Sequence, residues 1–241
     1  MQEVKFLHNS LAGASAGAVK VILIYPNYIL RSHMSTRIKL FYKIFNPLLL
    51  YRGSLPYAIN NISRIAIMAG LTGHYQSYIP INSAAFIGGM SAAAIIQTPI
   101  DNIIINHNRF KLNGSPNYLS SIGNLYGLYG FKGFYTGLAP CMLREGLMSW
   151  AIFAGKDRLQ IELNCNNLLA SIITSTLCLI PLHWSNQLVL TMLSNTNSKS
   201  IPNRFMYRPN VYFMFRYWYY ICFNIYIMDY IYKKSINIIT K

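Results

Sequence analysis

The sequence predicts an all-α membrane protein, with six transmembrane helices arranged as three pseudo-threefold-related helix pairs around a central cavity. Three observations predict it. The 241 residues are 53% hydrophobic and only 11% charged, whereas soluble domains carry roughly 25% charged residues. Six apolar segments follow one another along the chain, and crossing a bilayer takes about 20 residues. Sequence marks also recur three times at near-equal spacing. Mean hydropathy is only +0.28, so the helices are not apolar all round and must surround something polar.

The segments can be taken in order. Leu11 to Leu30 carries one charge, Lys20, and Ser54 to Ile79 carries one, Arg64. Ile79 to Ile105 holds Asp101 near its end, and Leu138 to Gly155 holds the adjacent pair Arg144 and Glu145. Leu168 to Leu193 has no Lys, Arg, Asp or Glu, while Val211 to Tyr232 has Arg216 inside and Asp229 near its end. Each can span a bilayer with some tilt. The last is rich in Tyr and fits an interfacial position as well.

Charge is unevenly placed. The net charge of +15 comes from 21 Lys and Arg against 6 Asp and Glu. Eleven of the basic residues fall in the three long connections, among them Arg37, Lys43, Arg109 and Arg204, and four lie within the segments. The positive-inside rule then turns the long connections inward and both termini outward. Low charge density with long apolar segments excludes a disordered polyelectrolyte and argues against a nucleic-acid partner. Cys141, Cys165, Cys178 and Cys222 form no CxxC pair or metal-ligand spacing and are read as reduced packing residues. The start of the chain shows neither a cleavable signal nor an Arg/Ser-rich transit peptide.

The repeat has interlocking marks. Pro26, Pro99 and Pro181 are separated by 73 and 82 residues. Tyr51-Arg52-Gly53, Tyr135-Thr136-Gly137 and Tyr207-Arg208-Pro209 precede the even segments, separated by 84 and 72. Twenty residues beyond each triplet stand Gly73, Asp157 and Asp229. The units, 1–80, 81–163 and a divergent 164–241, are each one helix pair of the same orientation, so an axis along the membrane normal must relate them.

In these features the chain resembles the mitochondrial carrier family over essentially its whole length. The family repeats Pro-x-Asp/Glu-x-x-Lys/Arg three times, and here the copies read Pro26-Asn-Tyr-Ile-Leu-Arg31, Pro99-Ile-Asp-Asn-Ile-Ile104 and Pro181-Leu-His-Trp-Ser-Asn186. The run from Gly130 to Glu145 matches the family's aromatic-basic-glycine step and even helix. Gly13 and Gly17 supply a small-xxx-small face on the first helix. The resemblance implies an inner gate at Tyr28, Arg31, Asp101, His183 and Asn186, in which only Arg31 and Asp101 survive as an acid–base pair. It implies an outer gate at Asp157 and Asp229, with Gln76, Gln160 and Tyr232 where bases are expected.

Ionisable groups inside spans are costly and call for a role. Seven residues beyond the triplets lie Asn60, Arg144 and Arg216, which in the family are substrate contact points. Arg64 shares the helix face of Asn60, and Lys20 completes the set. The pair Arg144–Glu145 resembles amino-acid carriers: the guanidinium takes a carboxylate and Glu145 an amino group. A short first connection and the run Leu143-Arg-Glu-Gly-Leu-Met-Ser149 resemble carriers of S-adenosylmethionine. The surplus of positive charge in the spans instead favours an anionic carboxylate.

The expectation is therefore exchange of a small metabolite by alternating access in the mitochondrial inner membrane, by a monomer with both termini on the intermembrane-space side. No cofactor or metal is expected. Cardiolipin is the expected lipid partner, held by backbone N–H groups near Tyr51, Arg52, Gly53, Tyr135 and Gly137. No nucleophile–base pair or phosphate loop points to an enzyme. A carrier-fold protein that has lost transport is the rival reading.

Overall fold

A computed structural model describes residues 2–34, 54–111, 118–195 and 211–239. Among them there are seven helices and no β-strand. Helix α1 spans Gln2–Met34 and α2 spans Ser54–Tyr75. Helix α3 runs Ile81–Ala92, passes through a π-helical turn at Ala93–Gln97 and continues as Thr98–Lys111. The short α4 is Tyr118–Tyr129, followed by a 3-10 turn at Phe131–Tyr135. Helix α5 runs Leu138–Trp150, through a second π-helical turn at Ala151–Gly155, to Lys156–Glu162. Helices α6 and α7 are Asn167–Asn195 and Val211–Ile239.

Local chemistry sets the breaks. Gly130 follows α4 with φ 61° and Gly137 precedes α5 with φ 76°, a left-handed backbone that glycine adopts without a Cβ clash. The three prolines of the repeat fall inside rods, with helix continuing beyond each of them. At Pro99 the reason is visible. Proline lacks an N–H and crowds the preceding turn, and the π-helical turn just before it widens the ladder. The Thr98 hydroxyl donates to the Ala93 carbonyl at 2.8 Å, partnering that oxygen.

Six long rods form a closed ring in the order α1, α2, α3, α5, α6, α7, with α7 packing back onto α1. The rods touch where glycines leave room. A Cβ on Gly13 would meet the Ile65 carbonyl oxygen at 2.6 Å, and one on Gly17 the Ile62 Cα at 3.0 Å, which brings α1 and α2 into backbone contact. Short links at 76–80 and 163–166 join rods at one end of the ring, here the terminal end, where residues 2 and 239 also lie. The long connections leave from the opposite, loop end.

Among the described residues the ring exposes large apolar side chains outside, and buries polar groups inside on either side of an apolar middle. On α6, Ser171, Thr174, Ser175 and Ser185 are wholly buried, whereas Ile180 is 71% and Trp184 69% exposed. Two stretches, Ile81–Ile104 and Asn167–Ser185, are long and apolar enough to cross a membrane. Elsewhere the rods interrupt their apolar runs with the groups that meet inside, such as Asn60, Asn61 and Arg64 on α2.

Candidate functional site

Three layers stack along the ring interior. Nearest the loop end lies a layer of charged and amide side chains from α1, α2, α3 and α5. Glu145, only 3% exposed, accepts from Arg144 Nε at 2.9 Å through one oxygen and from Arg64 Nη1 at 2.5 Å through the other. Arg64 also donates from Nη2 to Asn61 Oδ1 at 3.2 Å and from Nη1 to Gln97 Oε1 at 3.4 Å. Asp101 accepts from Asn60 Nδ2 at 2.9 Å and from Gln97 Nε2 at 3.2 Å, with Arg144 Nη2 at 3.6 Å. Lys20 is buried on α1 within electrostatic reach of Arg64, Glu145 and Arg144.

These contacts follow from helix geometry. Gln97 and Asp101 stand four apart and so share one face of α3. Arg64 lies one turn beyond Asn60 and Asn61 on α2, and all three face inward. The π-helical turn of α3 ends at Gln97, which is 6% exposed and held between Arg64 and Asp101.

A middle layer closes the ring. Ala16, Ile65, Met68, Ala92, Ile152 and Leu182 belong to one apolar cluster that Ile221, Ile225 and Met228 complete, so all six rods contribute. Such burial contributes roughly 1.5–3 kcal/mol per large side chain.

At the terminal end lies an ion-pair lock. Lys156, 0% exposed, donates to Asp229 Oδ2 and to Asn167 Oδ1, the latter at 2.6 Å. Lys233 donates to Asp157 Oδ1 at 2.7 Å and stands 3.1 Å from Asp229 Oδ1. Burial pulls the Lys233 ammonium down, but the hydrogen bond to Asp157 and the charges of Asp229 and Asp157 outweigh it, leaving it above the ordinary lysine value. Beside the lock, the Tyr232 hydroxyl donates to Asn9 Oδ1 at 2.7 Å and its ring meets Phe153 edge-on.

The expected residues are thus distributed unevenly. Asn60, Arg64, Arg144, Glu145 and Lys20 converge. Asp101, expected at the inner gate, joins this same layer. Glu145, expected to take an amino group, has each of its oxygens held by a guanidinium of the protein. Asp157 and Asp229 meet lysines, which the sequence reading did not include; Gln76 is exposed in a turn, and Gln160 borders the open recess beside Asp157 and Lys233. His183 is half-buried on α6. Tyr135 sits in the 3-10 turn and Gly137 at the start of α5. Tyr51, Arg52 and Gly53 lie outside the described residues, as do the side chains of Tyr28, Arg31, Asn186 and Arg216. Gln97, Lys156 and Lys233 were missed: Gln97 and Lys156 are buried polar groups beside apolar runs, and Lys233 lies one turn beyond Asp229.

All four cysteines are free, with Cys141 and Cys178 buried. Among the described residues no His, Cys, Asp and Glu group is arranged to hold a metal ion. The chain matches no family model, no curated protein and no solved structure.

Proposed function

We propose that this chain is a membrane carrier of the mitochondrial-carrier type, exchanging a small metabolite across the mitochondrial inner membrane by alternating access. The observation that carries this reading is a buried ionic layer enclosed by a ring of six rods whose outer faces are apolar. In water, exposed Ile95, Ile180 and Trp184 around buried Ser and Thr would be an inverted protein. In lipid the same arrangement satisfies both surfaces. All six rods then cross the bilayer as three pairs, α1–α2, α3–α5 and α6–α7, with the short links and both termini facing the intermembrane space.

In this reading the solute binds in the ionic layer near Asn60, Arg64 and Arg144, with Arg216 as the third equivalent position. The lock of Lys156, Asp157, Asp229 and Lys233 closes the terminal end while the solute site communicates with the loop end. Transport requires the lock to open as the loop end closes. The solute is amino-acid-like, with S-adenosylmethionine as the first candidate, and Arg144 receives its carboxylate. Cardiolipin binds at the loop-end starts of the even rods, Tyr135 and Gly137 included.

The test is counter-exchange in liposomes with S-adenosylmethionine, basic and acidic amino acids, keto acids and nucleotides. Exchange of one class, abolished by Arg144→Ala, is the expected result; undiminished uptake by that variant would remove the site assignment. One observation favours a second reading, a carrier-fold protein without transport: the ionic groups of the layer largely satisfy one another. Folded protein that exchanges none of these solutes would establish it.

A further inference from the structure

The geometry points to the π-helical turn at Ala151–Gly155 as the switch of the terminal lock: straightened into α-helix, it advances the end of α5 by one residue and undoes the ion pairs of α5 with α7 in one step. Its use in transport rests on the carrier reading; the switch itself does not.

A π-helical turn closes its hydrogen bonds one residue further along than an α-helical one, so it accommodates one extra residue. Straightening it turns everything beyond by about 100° and moves it on by about 1.5 Å. With Leu138–Trp150 fixed, each residue past the turn then takes the place its successor held. Gly155 arrives where Lys156 stood and faces Asp229 without a charge. Lys156 arrives where Asp157, 37% exposed, stood beside Lys233, so attraction becomes repulsion. The contact of Lys156 with Asn167 on α6 goes as well. What survives is Lys233 with Asp229 at 3.1 Å, a pair within α7 that joins no two rods.

The surroundings divide α5 at this turn. Before it, the rod is seated on α3: a Cβ on Gly146 would meet Phe86 Cε2 at 3.0 Å, and one on Gly89 would meet Ser149 Cβ at 2.6 Å. Beyond it, Lys156–Glu162 packs chiefly on α6. Gly155 carries the Trp150 ring, whose Cη2 would lie 2.7 Å from a Cβ there, so the π-helical form wants glycine at its last position. The α-helix is the ordinary backbone and the π-helical turn the rare one. Lys156, 0% exposed, reaches its carboxylate only through the turn, so the closed lock and the turn support each other. Two discrete states follow: π-helical and shut, or α-helical and open.

The experiment uses the full chain purified in detergent, with a water-soluble N-hydroxysuccinimide ester of acetate as the probe. Acetylation of Lys156 is followed by peptide mass spectrometry, with the exposed Lys234 as control. Gly155→Lys cannot seat the Trp150 ring and offers Asp229 a lysine in the straightened form. It should speed acetylation of Lys156 about tenfold or more and leave Lys234 unchanged. Removing Ala154 should keep Lys156 shielded, because the turn becomes α-helical without the one-residue advance. Gly155→Lys with Lys156→Asp sets both pairs back by one residue, so it should melt at a higher temperature than Gly155→Lys alone. A loosened rod end without a switch would show no such rescue. Lys156 shielded in Gly155→Lys, or exposed in the variant lacking Ala154, overturns the inference, and so does a double variant no more stable than the single one. Liposome exchange separates the two readings. The variant lacking Ala154 should exchange nothing; exchange that persists in it keeps transport and removes the switch. Acetylation and rescue as expected, in a protein that exchanges no solute, keep the switch and remove transport.

Discussion

Arg64 Nη1 and Glu145 Oε2 lie 2.5 Å apart, although α2 and α5 are not neighbours in the ring. The pair crosses the interior in front of α3, so it couples the two rods directly across the ring. Buried as both are, removing one partner should cost far more than removing both. Glu145→Ala is expected to destabilise the protein by about 3–5 kcal/mol, read as a lower melting temperature in detergent. Arg64→Met with Glu145→Met should cost clearly less than the sum of the single changes. Strict additivity would show that the pair contributes no coupling.

Close approach of α3 and α5 depends on Gly89. A Cβ there would come within 2.6 Å of Ser149 Cβ and clash with the Glu145 backbone. Gly89→Ala must therefore push α5 outward, shifting Glu145 from the ionic layer, and should lower both stability and any solute response. Gly127→Ala, on a face of α4 with nothing within 4 Å, should be neutral or stabilise by up to about 1 kcal/mol through helix propensity. Equal effects at the two positions would contradict this packing.

Asn102 fixes the segment leading into α5. Its Nδ2 donates to Thr98 O at 2.9 Å, Phe134 O at 2.9 Å and Thr136 O at 3.1 Å, spanning α3 and the turn before α5. Asn102→Ala leaves those turn carbonyls without this donor, at a cost of about 1–3 kcal/mol. Amide exchange of residues 131–137 should accelerate, with α1 and α2 unaffected. Unchanged protection in that turn would mean that Asn102 does not hold it.

The terminal lock predicts a particular pH dependence. The Lys233 value is raised in the folded protein, so its stabilisation is complete below the unfolded lysine value of about 10.4 and is lost as pH rises through the folded value. Lys233→Ala should lower the melting temperature by a constant amount between pH 7 and 9, and the difference from wild type should shrink above about pH 10.4. A difference that disappears already by pH 8 would assign the lock to another group.

Much of this was legible in the chain. The six rods follow the apolar segments, because a run of that length has few alternatives to a helix. Asn60, Arg64, Arg144 and Glu145 stand out because charge inside an apolar run is rare. Their mutual pairing was not legible, since it joins residues 81 positions apart through the curvature of the ring. Lys156 escaped for a different reason. It follows the π-helical turn at Ala151–Gly155, and one extra residue in a turn rotates everything after it by about 100°. Lys156, just beyond the apolar segment that ends at Gly155, is thereby turned inward onto Asp229. The helix ends also moved outward, because polar residues such as Arg31 and Lys234 continue a helix as readily as apolar ones.

The apolar cluster built from all six rods separates the ionic layer from the lock. Protons cross a protein by hopping along unbroken files of water and titratable groups, and a constriction lined by Ala16, Ile152 and Ile225 offers neither, since narrow apolar passages expel water. That apolar layer therefore insulates the two ends from each other: a proton on a group of the ionic layer finds no carboxylate, amine or imidazole among the buried cluster residues to carry it to the lock.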